Sequence, residues 1–339
     1  MKRILLAALL GLVMLAGCKS KNGAPKAPDV KVSEKLELKI ERTDRDLAAL
    51  DINNLAGAGA ALKSRYGSFI DLYSDGILGI GTTSSPEYAQ GLYAFLTYPM
   101  VQEALSSVNQ TFTPEVVESL EEQLSEAFSR YKGTFPSRDV PKVYGFVAGF
   151  NQSVMVADSI LGIGLDKYLG AGYKNYQSMG VPMYLIRKMD KSMIVPDAMY
   201  AWIGSEFPIR RESEPLLSHM VYQGKLLFAV AQMLPNISDS TLFGFTSAQT
   251  KWVKKNEKMM WEILVAQKLL FDSELFVRTK MVGEAPFTSI YTKESPGKAA
   301  SWQGYRIVSA YMRNSGSTLN DLMQENDYQK ILDVAKYRP

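Results

Sequence analysis

The sequence has few of the residues on which several classes of protein depend. Of its 339 residues, one is cysteine and one is histidine. A single cysteine excludes a disulfide within the chain and a four-cysteine zinc site. A single histidine excludes a two-histidine zinc site and leaves His219 as the one imidazole base for a catalytic triad. The 38 basic and 35 acidic residues leave a net charge of +3, so no extended basic surface for nucleic acid is expected.

The composition that remains is typical of a globular protein. Hydrophobic residues make up 46% of the chain and charged residues 22%, which is close to average usage. A chain of this length can bury a large apolar core as one large domain or as two smaller ones. Beyond residue 36 there is no linker long or polar enough to mark a boundary. We therefore predict a single large domain over residues 36–339.

The first 18 residues have the three parts of a bacterial lipoprotein signal peptide. A basic pair at residues 2–3 precedes an apolar run over residues 4–16, and this run is shorter than the roughly 20 residues of a membrane-spanning helix. Residues 15–18, Leu-Ala-Gly-Cys, then match a lipobox, at which the chain is cleaved before the cysteine and the thiol is acylated. The sequence thus predicts a signal peptide over residues 1–17 and a membrane anchor on Cys18. The alternative is an ordinary signal peptide followed by an incidental buried cysteine.

Residues 18–35 are predicted to be a flexible tether between the acylated Cys18 and the domain. The segment is rich in Lys, Gly, Ala and Pro and shows no apolar periodicity. No acidic residue follows Cys18 directly, so the acidic signal that exports some lipoproteins to the outside of the cell is missing. We expect a membrane-anchored protein that faces the periplasm.

The N-terminal half of the domain has the periodicity of a helical layer over about residues 43–135. Leu36, Leu38 and Ile40 alternate with charged residues and predict a strand before it. Thr43 is the expected cap of the first helix. The predicted helices cover residues 44–50, 60–73, 86–112 and 114–131.

The next segment is rich in β-branched and aromatic residues. Residues 143–147 and 153–166 are separated by Gly149-Phe150-Asn151-Gln152, which predicts a hairpin, and residues 158–166 continue as a glycine-rich strand. From Pro182 onward the pattern is again helical. The sequence therefore predicts an α+β fold that is mostly helical, with a small mixed sheet.

Two predicted helices in the C-terminal part carry polar residues on apolar faces. One follows Ser213 and Pro215, extends to Met233, and places His219 and Gln223 on or beside its apolar stripe. The other covers residues 248–271, where Asn256 and Glu257 interrupt the stripe. Because buried polar groups need partners, His219, Gln223 and Glu257 are expected to form a hydrogen-bonded cluster between the two helices.

The same arrangement is the geometry of a zincin active site. In a zincin, a helix carries H-E-x-x-H, in which two histidines bind zinc and the glutamate is the general base. Here the corresponding residues are His219-Met220-Val221-Tyr222-Gln223. Met220 cannot accept a proton from water, and the neutral amide of Gln223 is a poor zinc ligand. The open interpretations are a buried polar network that fixes helix packing, a weak structural metal site, and a hydrolase that uses another base.

Several segments resemble one known family, the gliding-motility lipoprotein GldB family of the Bacteroidetes. The resemblance is carried by residues 141–144 (PKVY), 150–153 (FNQS), 157–166 (ADSILGIGLD), 194–199 (IVPDAM), 219–225 (HMVYQGK), 256–261 (NEKMMW) and 295–297 (SPG). With the lipobox, these segments span nearly the whole chain.

Membership in this family implies a degenerate zincin with gluzincin-like helices over about residues 140–339. By this resemblance, His219 stands in place of the first zinc ligand, Met220 in place of the base and Gln223 in place of the second histidine. Asn256-Glu257 resembles the Asn-Glu pair that brings the third ligand. Tyr305 is a further candidate, because zincin relatives often place an aromatic hydroxyl in the cleft. Two of the four chemical positions therefore depart from an active site.

The family resemblance implies a non-catalytic, lipid-anchored component of the machinery for gliding and for protein secretion across the outer membrane. We expect no cofactor, an anchor in the outer membrane through Cys18, and other envelope proteins as partners. One alternative is a periplasmic zinc peptidase that uses His219 and Glu257. Another is a binding module whose former active-site cleft holds a peptide or a lipid.

Overall fold

The computed structural model of the protein describes Val32, residues 34–211 and residues 214–339. The predicted signal peptide, Cys18 and most of the predicted tether lie outside the described residues, and so does Ser213. The predicted fold class is confirmed, because the described chain is mostly helical and contains a small mixed sheet. Within the described residues, no helix has both the length and the hydrophobicity needed to cross a membrane.

Four strands form the sheet. They are β1 (Ile40–Arg42), β2 (Lys142–Phe146), β3 (Val154–Ala157) and β4 (Ile160–Gly164). Their order across the sheet is β1-β2-β4-β3. β2 pairs in parallel with both β1 and β4, whereas β3 pairs antiparallel with β4. Every residue of β4 is buried, as expected for a central strand that is covered on both faces.

The predicted hairpin over residues 143–166 is wrong in its pairing. β2 lies parallel to β4, with Tyr144 opposite Gly162. The hairpin instead joins β3 to β4 through a reversal at Asp158, whose φ is 41°. The apolar β4 can be buried on both faces and takes the central position, while the less buried β3 takes the edge.

The predicted strand over residues 36–40 starts later than expected. The backbone N–H groups of Leu36 and Leu38 donate to the hydroxyls of Ser129 and Ser125, each at 2.9 Å, so these residues contact a helix, and β1 begins only at Ile40.

Six α-helices and a π-helical turn over Leu72–Ile77 follow β1 in the N-terminal part. The helices are α1 (Thr43–Ala48), α2 (Ala58–Tyr66), α3 (Ser68–Asp71), α4 (Tyr88–Thr97), α5 (Pro99–Thr111) and α6 (Pro114–Thr134). The prediction of α6 is confirmed, and the Thr113 hydroxyl caps it by accepting from the N–H of Val116. Arg42 rather than Thr43 occupies the position before α1.

Two of the predicted N-terminal helices are interrupted. The one expected over residues 60–73 breaks at Gly67, which has a φ of 60° and so leaves the helical conformation at little cost. The one expected over residues 86–112 breaks at Tyr98, because a residue before a proline is disfavoured in the helical conformation.

The C-terminal part is mostly helical, and short 3₁₀ turns lie at Leu165–Tyr168, Lys191–Met193 and Leu269–Phe271. Its helices are α7 (Lys174–Ser178), α8 (Met183–Ile186), α9 (Ile194–Glu206), α10 (Leu216–Met233), α11 (Asp239–Phe243), α12 (Ser247–Lys255), α13 (Glu257–Ala266), α14 (Leu275–Val282), α15 (Ala299–Ser315), α16 (Leu319–Gln324) and α17 (Tyr328–Ala335). The prediction of α10 is confirmed. The helix expected over residues 248–271 is divided into α12 and α13 at Asn256.

The apolar side chains form three clusters. One lies between the sheet and the helices α2 to α4 and includes Phe69, Tyr73 and Phe146. A second covers the opposite face of the sheet with α6 and α9, and a third holds α15 and α17 together. Helix α10 contributes to both of the latter, with Leu226 and Val230 in one and Met220 and Phe228 in the other.

Candidate functional site

His219 lies in the first turn of α10 and contacts a buried arginine. Its Nε2 atom is 2.9 Å from Nη1 of Arg278 on α14, and 9% of Arg278 is exposed. A guanidinium group can only donate hydrogen bonds, so Nε2 is the acceptor. The nitrogen that would bind a metal is therefore engaged by a permanent cation.

Gln223, one turn further along α10, faces a different neighbour. Its Oε1 atom accepts a hydrogen bond of 2.6 Å from the hydroxyl of Tyr200 on α9. Burial raises the pKa of Tyr200 well above its usual value, so this hydroxyl keeps its proton and remains a donor.

Asn256 and Glu257 lie at the break between α12 and α13. The side chain and the backbone N–H of Asn256 both donate to the carbonyl of Trp252, at 2.8 Å and 2.9 Å, near the end of α12. Glu257 accepts from Nε of Arg306 at 2.9 Å and from the hydroxyl of Tyr337 at 2.8 Å. These contacts join α13 to α15 and to the C-terminal residues.

Tyr305 lies in the apolar core rather than in a polar cleft. Its ring packs against Phe228 and Phe243, with ring centroids 6.1 Å and 5.1 Å away. Only 5% of the residue is exposed, and burial raises the pKa of its hydroxyl to about 12.

The structure thus gives His219, Gln223 and Glu257 separate partners rather than a shared cluster. This donor set does not fit zinc, because the imidazole and the carboxylate both accept from arginines and the third group is a neutral amide. In the part of the chain that the structure describes, no group of three or more His, Cys, Asp or Glu residues is placed to hold a metal ion. The zincin-like relation itself stays a prediction.

A cavity of about 580 Å³ lies beside Gln223. It is bordered by β3, α8, α9, α10 and α11 and by the start of α15. Of the predicted site residues, Gln223 lines this cavity, whereas His219, Glu257 and Tyr305 do not.

Charged side chains converge on this cavity. Glu284 binds the ammonium groups of Lys188 and Lys298, each at 2.6 Å. Burial acts to raise the pKa of Glu284, but the two lysines outweigh it and hold that pKa below its usual value. Asp197 accepts from the hydroxyl of Tyr168 at 3.0 Å, and burial raises its pKa to about 6.

A scan against protein-family models matches residues 23–339 to the family described as gliding motility protein GldB. The chain belongs to the GldB family. Searches of curated proteins and of solved structures found no match. GldB membership associates the chain with gliding motility and, as a lipoprotein family, with the cell envelope.

The sequence analysis did not single out the charged residues of the cavity in this GldB-family chain. Asp197 lies inside the segment 194–199, and Lys298 directly follows the segment 295–297. The family resemblance of these segments could therefore have pointed to both residues. Lys188 and Glu284 are 96 positions apart and belong to no motif. Their pairing brings the residues that follow α8 and α14 together.

Replacing His219 by alanine is expected to lower the free energy of unfolding by about 1–3 kcal/mol, because the buried guanidinium of Arg278 loses an acceptor. Urea denaturation measures the change. His219→Gln is the matched control, since an amide oxygen can accept the same hydrogen bond and should recover part of the loss. Equal stability of His219→Ala and the wild type would show that the contact contributes nothing.

Asp166 is a second buried carboxyl that the sequence analysis did not single out, although it ends the segment 157–166. Its Oδ2 atom accepts from the backbone N–H groups of Ala148 and Phe150, at 3.1 Å and 2.6 Å. These bonds hold a loop in which Phe150 has a φ of 68°. Oδ1 is buried and has no hydrogen-bond partner among the described residues.

The pKa of Asp166 predicts how this residue makes the free energy of unfolding depend on pH. Burial raises its pKa to about 6, above the value of about 4 of an unfolded chain. Between these values the folded state binds more protons at this group, so the contribution of Asp166 to stability is greatest below pH 4 and is lost as the pH rises past 6. Asp166→Asn should remove roughly 1–3 kcal/mol of this decline.

Urea denaturation at pH 4, 5, 6 and 7 measures this effect. The matched control is Asp158→Asn, because Asp158 is exposed in the β3–β4 turn. A decline of the same size in Asp166→Asn and the wild type would contradict the assignment.

Proposed function

We propose that this chain is a lipid-anchored, non-catalytic component of the machinery for gliding and for protein secretion, held on the periplasm-facing surface of the outer membrane. The family match over residues 23–339 supports the envelope role. The lipobox at Cys18 supports the anchor.

The contact between His219 and Arg278 carries the non-catalytic part of this proposal. A zincin hydrolase needs imidazole ligands with free nitrogen lone pairs and a carboxylate that can accept a proton from water. Here Nε2 of His219 accepts from a guanidinium, Met220 replaces the base, and Glu257 is held by Arg306 and Tyr337. Each of these groups instead stabilises the packing of the helices.

Complementation in a gliding host that lacks the gene tests the proposal. The variant Glu257→Gln keeps the size of the side chain and an acceptor for Arg306 and Tyr337, but it cannot act as a base. We expect it to restore gliding to the wild-type level. Loss of gliding at an unchanged protein level would favour a hydrolase.

Zinc content provides an independent test. After dialysis against a weak chelator, mass spectrometry of the purified protein should find no stoichiometric zinc in the wild type or in His219→Ala. About one zinc per chain, lost in the variant, would support the metallopeptidase alternative.

Cys18→Ala is expected to release the protein from membranes, because the thiol that carries the lipid is removed. Each buried CH₂ group of an acyl chain contributes about 0.8 kcal/mol to membrane binding, so the loss of all chains leaves little affinity. Radioactive fatty-acid labelling and membrane fractionation measure the two effects. Continued labelling of Cys18→Ala would contradict the predicted anchor.

A further inference from the structure

The cavity beside Gln223 changes in character from its interior to its rim. Leu227, Val230, Phe243 and Trp302 in its lining are at most 8% exposed. By contrast, the side chains of Lys188, Lys298 and Glu284 are between 20% and 44% exposed. The cavity therefore has an apolar interior and a charged rim.

One part of the lining is suited to an anion. Helix α15 begins at Ala299, and the N-terminus of a helix carries a partial positive charge. Lys298 precedes this helix directly, and Ser301 lies in its first turn. Ser301 is 3% exposed and lines the cavity, and its hydroxyl has no hydrogen-bond partner among the described residues. An acceptor from a ligand would satisfy this buried donor.

The charge of the lining agrees with an anionic ligand. Three lysines and two carboxyl groups line the cavity, which leaves one net positive charge when all are ionised. Lys298 donates to Glu284 in the structure, and an ammonium group has three N–H donors. It can therefore bind a second carboxylate without releasing the first.

We propose that this cavity binds a long-chain monocarboxylate, with the carboxylate at Lys298 and Ser301 and the alkyl chain against the apolar interior. This site goes beyond the envelope role proposed above and does not depend on it. A cavity of about 580 Å³ is within the usual size range of ligand pockets.

The apolar interior favours a hydrocarbon over a peptide. Where the lining is formed by Leu185, Leu227 and Val230, it offers no side-chain partner to the amide groups of a peptide, at a cost of about 1–3 kcal/mol for each unpaired group. An alkyl chain has no such groups. The unbranched side chains of Met189 and Met193 in the lining can also adapt to a flexible chain.

Isothermal titration calorimetry on the delipidated mature chain, residues 18–339, tests the site. The chain carries Cys18→Ser so that its own acyl groups do not compete. The probes are dodecanoate, 1-dodecanol and dodecylammonium, which share one alkyl chain and differ in the head group. We expect one dodecanoate per chain and binding at least about tenfold tighter than that of dodecanol or dodecylammonium, the effect of a charge-assisted hydrogen bond.

Three variants locate the ligand. Lys298→Gln and Ser301→Ala should each weaken dodecanoate binding, by about tenfold for the lysine, and leave dodecanol binding unchanged. Ala201→Phe, on the cavity wall, should abolish the binding of both. Lys254→Gln is the matched control, because Lys254 is an exposed lysine that pairs with Asp239 away from the cavity.

The outcomes separate the proposal from its rivals. Equal affinities for dodecanoate and dodecanol would overturn it, and so would dodecanoate binding that survives in Ala201→Phe. The same decrease in Lys254→Gln as in Lys298→Gln would also overturn it, because the effect would then be one of net charge. Circular dichroism and melting curves identify a variant that fails to fold. If Lys298→Gln fails to fold, dodecanoate binding by Ser301→Ala tests the carboxylate site, since this variant removes only one hydroxyl group.

Discussion

Gly304→Ala should lower the free energy of unfolding by about 3 kcal/mol or more. A Cβ atom at Gly304 would overlap the backbone carbonyl of Met220, and one at Gly224 would overlap the backbone of Gly304. Helices α10 and α15 therefore approach through two glycines, with main chain against main chain. Any side chain there must push the helices apart and open the core that they share with α17.

Urea denaturation or a melting curve measures this loss. Gly57→Ala is the matched control, because its φ is −96° and a Cβ there would have no atom within 4 Å. We expect the control to change the stability by less than about 1 kcal/mol. Equal stability of the two variants would show that α15 can shift without cost.

Asp44→Ala should destabilise the domain by about 3–5 kcal/mol, because it leaves a buried arginine without its partner. Arg42 donates to the two carboxylate oxygens of Asp44 at 2.8 Å and 2.6 Å. The exposed fractions of the two side chains are 8% and 2%. Arg42 also donates to the carbonyl of Phe112 at 3.0 Å, so the pair joins the edge of the sheet to the end of α5.

The comparison with an exposed pair makes this test specific. Glu262→Ala removes the partner of Lys258 on α13, where the two side chains are 62% and 73% exposed, and we expect it to cost less than about 0.5 kcal/mol. The double variant Arg42→Met with Asp44→Leu should recover much of the loss, since no unpaired charge remains. If the double variant were as unstable as Asp44→Ala, the loss would come from packing rather than from the unpaired charge.

Helices of this fold could be predicted where the sequence combines a capping residue with a long stretch of regularly spaced apolar residues. Helix α6 has a capping threonine, a proline in its first turn and an apolar stripe, and it forms where expected. The helix predicted over residues 248–271 shows the limit, because the apolar period continues across the break at Asn256. The order of the strands could not be predicted. β2 and β4 pair in parallel, and no turn motif between two parallel strands indicates that they are neighbours.

The site was less predictable than the fold, because its contacts join distant parts of the chain. The sequence placed His219 and Gln223 on one helix correctly. Their partners, Arg278 and Tyr200, come from α14 and α9, and nothing in the sequence around a polar side chain on those helices indicates which residue it will contact. The hypothesis of one shared cluster rested on the need of buried polar groups for partners, and residues of other helices supply partners to His219, Gln223 and Glu257.

Helix α10 is shared by two of the three apolar cores. Leu226 and Val230 on this helix belong to the core beneath the sheet, while Met220 and Phe228 belong to the core around α15. Exposing either core to solvent would also expose apolar residues of α10. We therefore expect the N-terminal sheet and the C-terminal helices to unfold in one transition, which coincident urea curves from circular dichroism and tryptophan fluorescence would show.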